Sequence, residues 1–337
     1  MLMKAIEAAG SDELTWSTDD GPGLIRRRSG RGFCYRDPEG RVIRERAVLD
    51  RIRNLGIPPA WEEVWICPDP RGHIQATGRD ARGRKQYSYH PDWTTRAAAE
   101  KFHRLPDFAL RLPRLREQVE RDLSLRGPRK DKVLATAVRL LEITLIRVGN
   151  AAYARQNRSF GLTTLRKRHL DIDGSVLTFE FRGKSGKAHR VTVNDQRLAR
   201  VLRGLEGLPG QHLFKYRDAE GELCSINSDD VNAYIRQAMG DHFSAKDFRT
   251  WAATASAARA FSEMAPPTSP ADARRHISAC MKAVSRRLGN TPAVCRASYI
   301  HPRVIALYET GEIADLLPGQ DTKSFEPVLA RLLSQAA

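Results

Sequence analysis

The spacing of glycine and proline changes abruptly near residue 90, and this change limits the folds that the chain can adopt. Between residues 24 and 92 one of the two recurs every few positions, so only short extended runs such as Glu63–Cys67 fit between them. Beyond this segment the sequence has mainly helical character. The pattern predicts an α+β protein with a leader over 1–23, a small β-rich domain over 24–95 and a larger, mainly α-helical domain over 96–337.

Helical periodicity in the larger domain is clearest over residues 131–148. Apolar residues recur there at alternating steps of four and three, which places them on one face of a helix. Gly149 follows the last of them and is expected to end the helix. The residues on the apolar face are Leu134, Val138, Leu141, Leu145 and Val148.

A β insert interrupts this helical domain. Residues 176–182 and 188–193 are extended runs on either side of the turn sequence GKSG, which is typical of a hairpin. A third strand is expected within Thr163–Leu170, so the domain should contain a small three-stranded sheet. Further helices are predicted over 196–205, 228–239, 245–262, 270–288, 292–299 and 302–310.

The charge balance indicates a polyanionic partner. The chain has 56 Lys and Arg residues against 40 Asp and Glu, a net charge of +16. Residues 1–100 hold 17 basic and 15 acidic side chains, whereas residues 101–337 hold 39 and 25. Such an excess favours nucleic acid, although an anionic membrane surface or a ribosomal context would also fit.

Several other classes of protein are disfavoured. No apolar run approaches the roughly 18 residues that a membrane span needs, and the N-terminus is not a secretory signal. The five cysteines form no CxxC pair, which argues against a disulfide framework or a cysteine zinc site. We therefore expect a cytoplasmic, nucleoid-associated protein that does not bind a membrane.

Nucleotide and metal chemistry also find little support. The GKS triplet at 183–185 lacks the glycine that a phosphate-binding loop needs five residues earlier, where the chain has Thr178. Lys184 would also lie in a hairpin turn and not at the start of a helix. The nine histidines show no metal-ligand spacing. We expect neither a metal nor a cofactor.

Five residues become candidates for a functional site once a nucleic-acid partner is assumed. Arg147 ends an apolar helix, where an arginine often only complements the helix dipole. Lys184 lies at a hairpin tip, which is ordinarily a solvated turn. Arg249 is about one turn into its predicted helix, near the end that favours phosphate. Asn290 precedes Tyr299 by nine residues, and a tyrosine before a basic tail more often packs than reacts. Together, in this order, the five form a much more specific pattern.

That pattern and the sequence around it resemble the type IB DNA topoisomerases, in the small form found in viruses and bacteria. The resemblance covers roughly residues 24–312, nearly the whole chain. The stretches that carry it are GHIQATGRDARGRKQYSYHP (72–91), LEITLIRVGNAAYARQNRSFGLTTLRKRHL (141–170), FEFRGKSGKAHR (179–190), KDFRTW (246–251) and SRRLGNTPAVCRASYIHPRV (285–304).

The resemblance implies a role for each of the five residues. Tyr299 is the expected nucleophile, which forms a 3′-phosphotyrosine with DNA and makes ATP unnecessary. Arg147 and Arg249 match the two phosphate-clamping arginines, and Lys184 matches the general acid at the hairpin tip. Asn290 stands where many members have a histidine, so it can donate a hydrogen bond to phosphate but brings no charge.

DNA binding is predicted for residues in both domains. Basic residues interleaved with aromatic ones in the smaller domain indicate a surface that follows phosphates. Lys187 also competes with Lys184 for the general-acid role. The resemblance implies a monomer that closes on double-stranded DNA as a C-shaped clamp. The predicted DNA-binding residues are Gln75, Arg79, Arg84, Lys85, Tyr87, Tyr89, Tyr153, Lys187 and Lys246.

Two alternatives remain at this point. A tyrosine recombinase shares the chemistry, but recombinases usually have a histidine three residues before the second arginine, where this chain has Lys246 before Arg249. Recombinases also usually carry a helical, not a β-rich, DNA-binding domain. A non-enzymatic architectural protein would suit the charge, yet it gives no reason for the five-residue set.

Overall fold

The computed structural model describes residues 13–317 and 322–335. The chain forms two compact units that divide between Lys101 and Phe102. The sequence placed this boundary between residues 95 and 96, whereas the division falls near the end of helix α2, Pro91–His103. The helix that follows the β-rich segment therefore belongs largely to the first unit.

The first unit is built on an antiparallel sheet of five strands in the order β2-β1-β3-β4-β5. Its small core lies between the sheet and helix α1, where Ile52 packs with Val64 and Ile66. The predicted β-rich character is confirmed. The elements are β1 Leu24–Ser29, β2 Gly32–Arg36, α1 Arg46–Asn54, β3 Glu62–Ile66, β4 Ile74–Arg79 and β5 Lys85–Tyr89.

Two of these elements, β1 and α1, were not predicted. Strand β1 has the sequence LIRRRS, whose arginines gave no apolar alternation. Arg26 is nevertheless buried, because its guanidinium lies 4.2 Å from the Phe33 ring centroid and donates to the carbonyl oxygens of Pro58 and Trp61. Contacts across the sheet thus allow a charged residue to occupy an inward position.

Residues 13–23, which the sequence assigned to a loose leader, pack against the sheet. The Thr15 amide donates to the Arg71 carbonyl at 2.9 Å, and the His73 amide donates to the Thr15 carbonyl at 2.8 Å. The Trp16 ring stacks on His73 with centroids 3.9 Å apart. The rest of the predicted leader, residues 1–12, lies outside the described residues.

The second unit is mainly helical, as predicted. Helices α3, α4 and α8 pack against one another around a continuous apolar core that includes Phe108, Leu141 and Phe248. No helix among the described residues has both the length and the apolar character needed to cross a bilayer. The helices are α3 Leu105–Leu123, α4 Lys130–Thr144, α5 Ala151–Asn157, α6 Gln196–Glu206, α7 Ser228–Met239, α8 Ala245–Ser262, α9 Pro270–Leu288, α10 Pro292–Ser298, α11 Pro302–Glu309, α12 Ile313–Leu316 and α13 Thr322–Ser334.

A three-stranded antiparallel sheet in the order β6-β7-β8 confirms the predicted β insert. Its strands are β6 Leu170–Asp173, β7 Val176–Arg182 and β8 Ala188–Asn194, and a separate short pair joins β9 Lys215–Arg217 to β10 Leu223–Ser225. The third strand was predicted too early in the chain. Leu162–Thr164 and Lys167–His169 are 3₁₀ turns, so the strand begins only at Leu170.

Helix α4 ends earlier than its apolar periodicity predicted. The backbone turns left-handed at Leu145, with φ of 57°, and the chain then leaves the helix. The Leu145 carbonyl accepts a hydrogen bond from the Arg249 guanidinium, and the Arg147 and Val148 carbonyls accept from the amides of Leu162 and Thr163. These tertiary bonds replace the helical ones, so Arg147 lies in an irregular segment and not at a helix end.

Candidate active site

Arg147 and Asn290 meet although they are far apart in sequence. Arg147 Nη2 donates to Asn290 Oδ1 at 2.7 Å. Asn290 reaches this position because α9 ends at Gly289, whose φ of 64° reverses the chain direction at no steric cost. The bond uses the amide oxygen of Asn290 and leaves its NH₂ group for another partner.

Arg249 is held from two sides by backbone carbonyls. The side chain is only 6% exposed, and its two Nη groups donate to the carbonyl oxygens of Leu145 and Leu288, the latter at 2.7 Å. Burial and the charge of Arg147 lower the pKa of Arg249, yet a guanidinium remains protonated at neutral pH. The arrangement fixes a permanent positive charge beside Arg147.

Tyr299 is anchored to the helix that carries Arg249. The Thr254 hydroxyl on α8 donates to the Tyr299 carbonyl at 3.1 Å and accepts from the His301 amide at 3.1 Å. The Arg249 Cζ atom lies 5.4 Å from the centroid of the Tyr299 ring. One helix therefore positions both the phenol and the guanidinium beside it.

The electrostatics of Tyr299 differ from those of Tyr234, a buried phenol elsewhere in the fold. Burial raises the pKa of Tyr299, but the charges of Arg249 and Arg147 outweigh this and lower it below its ordinary value of 10.0. Burial and a bond to the Asp122 carboxylate instead raise the pKa of Tyr234. The surroundings of Tyr299 thus favour the phenolate, the form that acts as a nucleophile.

Lys184 lies at the exposed tip of the β7–β8 hairpin. The turn is closed by the Gly183 amide, which donates to the Lys187 carbonyl at 2.8 Å. Lys184 lines a small cleft together with Arg147 and Arg249. We call this the catalytic cleft, after the predicted roles of these three residues, although Tyr299 and Asn290 do not line it; its lining also includes Leu145, Phe160, Phe181, Gly183, His189 and Leu288.

Two buried donors beside this cleft have no partner among the described residues. They are Arg249 Nε and Asn290 Nδ2, each on a side chain whose other polar atoms are bonded. An unsatisfied buried donor costs about 1–3 kcal/mol, so each such group calls for an explanation, and a bound ligand is one. Both donors belong to residues that the sequence assigned to phosphate binding.

The predicted DNA-binding residues of the first unit occupy different environments. Tyr87 and Tyr89 are each 44% exposed and stack with ring centroids 5.9 Å apart. Arg79, Arg84 and Lys85 pair with the carboxylates of Glu63, Asp80 and Asp19 at distances of 2.6, 2.5 and 2.7 Å.

Gln75 does not fit the surface that the sequence predicted. It is 2% exposed, and its Nε2 donates to the carbonyls of Asp69, Pro70 and Gly72. Its Oε1 accepts from Arg51 Nη1 at 2.9 Å. Strand β4 directs the Gln75 side chain into the domain, where its amide bonds the loop before the strand. We therefore leave Gln75 out of the proposed DNA surface.

Two of the three predicted DNA-binding residues of the second unit are exposed. Lys187 and Lys246 are exposed, at the hairpin and in the first turn of α8 respectively. Tyr153 is half-buried in α5, where its amide donates to the Asn150 cap at 3.0 Å. All three remain candidates for contact with DNA.

Comparison with known proteins decides the family. A family model described as the catalytic core of eukaryotic DNA topoisomerase I matches residues 90–315, and one described as the N-terminal domain of bacterial DNA topoisomerase IB matches residues 32–80. The DNA topoisomerase 1B of Acanthamoeba polyphaga mimivirus is 34% identical over 294 residues, covering 85% of this chain and 88% of the viral protein. The chain belongs to the type IB DNA topoisomerases.

Other likenesses are weaker. The DNA topoisomerase 1B of vaccinia virus (strain Copenhagen) is 21% identical over 264 residues, which cover 76% of this topoisomerase and 79% of the relative. The solved XerH site-specific recombinase bound to difH covers 56% of this chain and 48% of its own, with 13% identity and a TM-score of 0.35. The latter value is too low to bear on the fold.

This topoisomerase also has an arginine groove that the sequence did not reveal. The groove shares Phe160, Phe181 and His189 with the catalytic cleft, so the two are continuous. The sequence contained one indication of this groove, which is that Arg182 and Arg190 lie on either side of the GKSG turn of the hairpin. The arginines that line the groove are Arg155, Arg158, Arg166, Arg168, Arg182 and Arg190, with Glu180 as its acidic member.

Proposed function

We propose that the protein relaxes supercoiled double-stranded DNA by cutting and resealing one strand. The Tyr299 oxygen attacks a phosphorus atom of the backbone, the bond from phosphorus to the 5′-oxygen breaks, and a 3′-phosphotyrosine forms. The freed strand end rotates, and its 5′-hydroxyl then attacks the phosphotyrosine and restores the diester. The covalent link retains the bond energy, so no ATP is consumed.

The pair of unpartnered donors carries this proposal. Arg249 Nε and Asn290 Nδ2 are buried, fixed by their neighbours and without an acceptor among the described residues. A phosphoryl group carries negative charge on its non-bridging oxygens, and this charge spreads in the transition state. Donors that are already aimed at those oxygens stabilise the transition state without reorganising. The two arginines supply the charge that a divalent metal supplies in other phosphoryl-transfer sites.

Lys184 is the proposed source of the proton for the departing 5′-oxygen. An alkoxide is a poor leaving group, and general-acid assistance is worth about 10²–10⁴ in rate. Lys184 is exposed on a short turn and lines the cleft with both arginines, which supports this role. In this proposal the phenolic proton of Tyr299 goes to water.

DNA grip is proposed for the arginine groove and for the exposed residues near it. Guanidinium groups bind phosphates bidentately and cannot lose their charge. In the first unit, Tyr87 and Tyr89 offer exposed ring faces and edges for contact with the duplex. The monomeric state, closure as a C-shaped clamp and nucleoid association remain predictions from the resemblance.

Plasmid relaxation with EDTA and without ATP tests the function. Wild-type protein should produce a ladder of stepwise relaxed topoisomers, and denaturant should trap protein on the 3′ end of a nicked strand. Tyr299→Phe should still bind DNA but should neither relax it nor form the adduct. Tyr216→Phe, which alters a half-buried tyrosine on β9, is the matched control and should behave as wild type.

Three results would contradict the proposal. A Tyr299→Phe variant that relaxes plasmid would move the nucleophile elsewhere. A gel shift without any change in topology would favour a non-enzymatic DNA-binding protein. Exchange of strands between two DNA sites, without relaxation, would favour a recombinase.

A further inference from the structure

His189, which the sequence did not single out, lies between the general acid and the phosphate-binding residues. It is the second residue of β8 and pairs directly with Phe181 of β7. The two rings stack with centroids 5.2 Å apart and planes inclined by 9°. His189 is half-buried and lines the catalytic cleft.

The imidazole fills space that side chains of two other positions would otherwise occupy. A Cβ atom on Gly183 would lie 2.5 Å from His189 Cδ2, and one on Gly289 would lie 2.7 Å from His189 Cε1. Both distances are shorter than van der Waals contact, so the ring packs directly on the backbone at both positions. Gly183 immediately precedes Lys184, and Gly289 immediately precedes Asn290.

The need for glycine at position 183 comes from this ring and not from the backbone. Gly183 has φ of −95° and ψ of −159°, an extended conformation open to any residue. Gly289 differs, because its φ of 64° favours glycine whatever its neighbours. Close approach of the His189 ring is therefore the structural reason that the residue before Lys184 has no side chain.

We propose that His189 is a positioning residue that holds the Lys184 turn at a fixed distance from the Asn290 segment. Its ring acts as a spacer between the two backbones, so the turn cannot move closer to the Asn290 segment while the ring is in place. Burial and the charges of Arg147, Arg249 and Lys187 lower the pKa of His189, so the ring is neutral at neutral pH. It therefore acts through its shape and adds no charge to the cleft.

This inference rests on the proposed function, because it assigns His189 a role only through Lys184. Without the ring, the turn is free to shift, and Lys184 no longer points reliably at the leaving 5′-oxygen. A shift of about 1 Å can cost about 10²-fold in rate. A sulfur atom in place of that oxygen leaves as a thiolate and needs no proton, so cleavage of such DNA should not depend on the spacer.

Single-turnover cleavage of matched DNA duplexes with a 5′-oxygen or a 5′-bridging sulfur at the cut site tests the role. His189→Ala should slow cleavage of the oxygen substrate by about 10–10²-fold and of the sulfur substrate by less than about threefold. His189→Phe keeps a flat ring and should restore most of the rate. Gly183→Ala pushes against the ring and should reproduce the selective loss. His103→Ala, an exposed histidine on α2, is the control.

A double mutant separates positioning from general damage. Lys184→Ala should show the same preference for sulfur, and Lys184→Ala/His189→Ala should be no slower on oxygen than Lys184→Ala alone. Equal slowing of both substrates by His189→Ala, or no slowing, would overturn the inference while leaving the proposed function intact. A wild-type protein that forms no Tyr299 adduct, or a Lys184→Ala variant that sulfur does not rescue, would instead remove its basis. Thermal melting of each variant identifies any that fails to fold. If His189→Ala fails to fold, Gly183→Ala tests the positioning role with the His189 ring still present.

Discussion

The basic residues of the N-terminal sheet and those of the catalytic cleft differ in the groups that hold them. On the sheet each cation that the sequence predicted to bind DNA is paired with a carboxylate. In the cleft Arg147 is bonded to an amide oxygen and Arg249 to two backbone carbonyls. The paired residues of the sheet are Arg79 with Glu63, Arg84 with Asp80 and Lys85 with Asp19.

The paired residues of the first unit already have an anionic partner, whereas Arg147 and Arg249 have only neutral partners among the described residues and can still bind an anion. Exposed ion pairs contribute only about 0–1 kcal/mol and can exchange one anion for another. The charge of Arg249 is buried and bound only by neutral groups, so it retains its full attraction for a phosphate. Charge in the cleft should therefore matter far more to the reaction than charge on the sheet.

The largest expected effect on the cleavage rate comes from removing a cation of the catalytic cleft, and it is compared with removal of a cation from the first unit. Arg249→Ala should slow single-turnover cleavage by about 10²–10³-fold, as is typical when a fixed donor to a developing anion is removed. Arg84→Ala should change the same rate by less than about threefold, because Asp80 already neutralises that residue. Rapid-quench measurement of adduct formation at saturating enzyme compares the two.

Arg249→Lys sharpens this test. Lysine keeps the charge, but its single nitrogen cannot reproduce the planar fork by which Nη1 and Nη2 reach two carbonyls and leave Nε free, so the variant should recover only part of the rate that the alanine variant lacks. Equal effects of the Arg249 and Arg84 variants on the cleavage rate would show that a cation with neutral partners matters no more to the reaction than one paired with a carboxylate.

The pH dependence of cleavage should report the cationic surroundings of Tyr299. Burial raises the pKa of this phenol, and the charges of Arg249 and Arg147 more than reverse the effect. The cleavage rate of wild-type protein should therefore rise with pH and level off below pH 10. In Arg249→Gln burial remains while the nearest charge is gone, so the plateau should move to higher pH. A profile unchanged by the substitution would show that Arg249 does not tune the phenol.

Salt dependence should identify which arginines bind phosphate. Each duplex phosphate that a protein neutralises adds about 0.9 to the steepness with which log K falls against log salt. Arg168→Ala and Arg182→Ala in the arginine groove should each make that slope shallower by about 0.9, whereas Arg41→Ala, between β2 and α1, should not, since Arg41 is engaged by Asp37. Equilibrium binding between about 50 and 200 mM salt measures the slopes. Unchanged slopes for both groove variants would exclude the groove from the DNA interface.

The smallest expected effect concerns stability in acid. Arg84 and nearby amides lower the pKa of Asp80 from 3.8 to about 2. Because the folded-state pKa is lowered, the stabilisation is present above pH 3.8 and disappears as the pH falls through about 2. Asp80→Asn should therefore melt below wild type at neutral pH, and the gap should close between pH 3.8 and about 2. A gap independent of pH would assign the effect to the turn geometry alone.

The sequence predicted most helices because their ends are encoded locally. The Ser244 amide donates to the Asp247 carboxylate at the start of α8, and Gly289 follows the last residue of α9, so both ends are set by residues within the local sequence. The predicted end of α4 was wrong because a distant residue, Arg249, binds the Leu145 carbonyl. Such a long-range bond has no signature in the neighbouring sequence.

The five candidate site residues could be chosen from the sequence by type and order, but the contacts among them could not. The arrangement joining Arg147 to Asn290 depends on two chain segments that meet only in the fold. Gln75 was misplaced because a polar residue in a charged segment usually lies at the surface. His189 was missed because a histidine on a strand gives no sign that two distant glycines will lie against its ring.

One hydroxyl group gives the site a mechanical property. Thr254 bonds the backbone on both sides of Ile300, at the Tyr299 carbonyl and the His301 amide, and it belongs to the same 18-residue helix as Arg249. Tension from a turning DNA end would thus pass from the phosphotyrosine through Thr254 into α8. In the proposed mechanism the phosphotyrosine and the Arg249 guanidinium would therefore be held by one helix, so the 3′ end would stay beside the arginine while the freed 5′ end rotates.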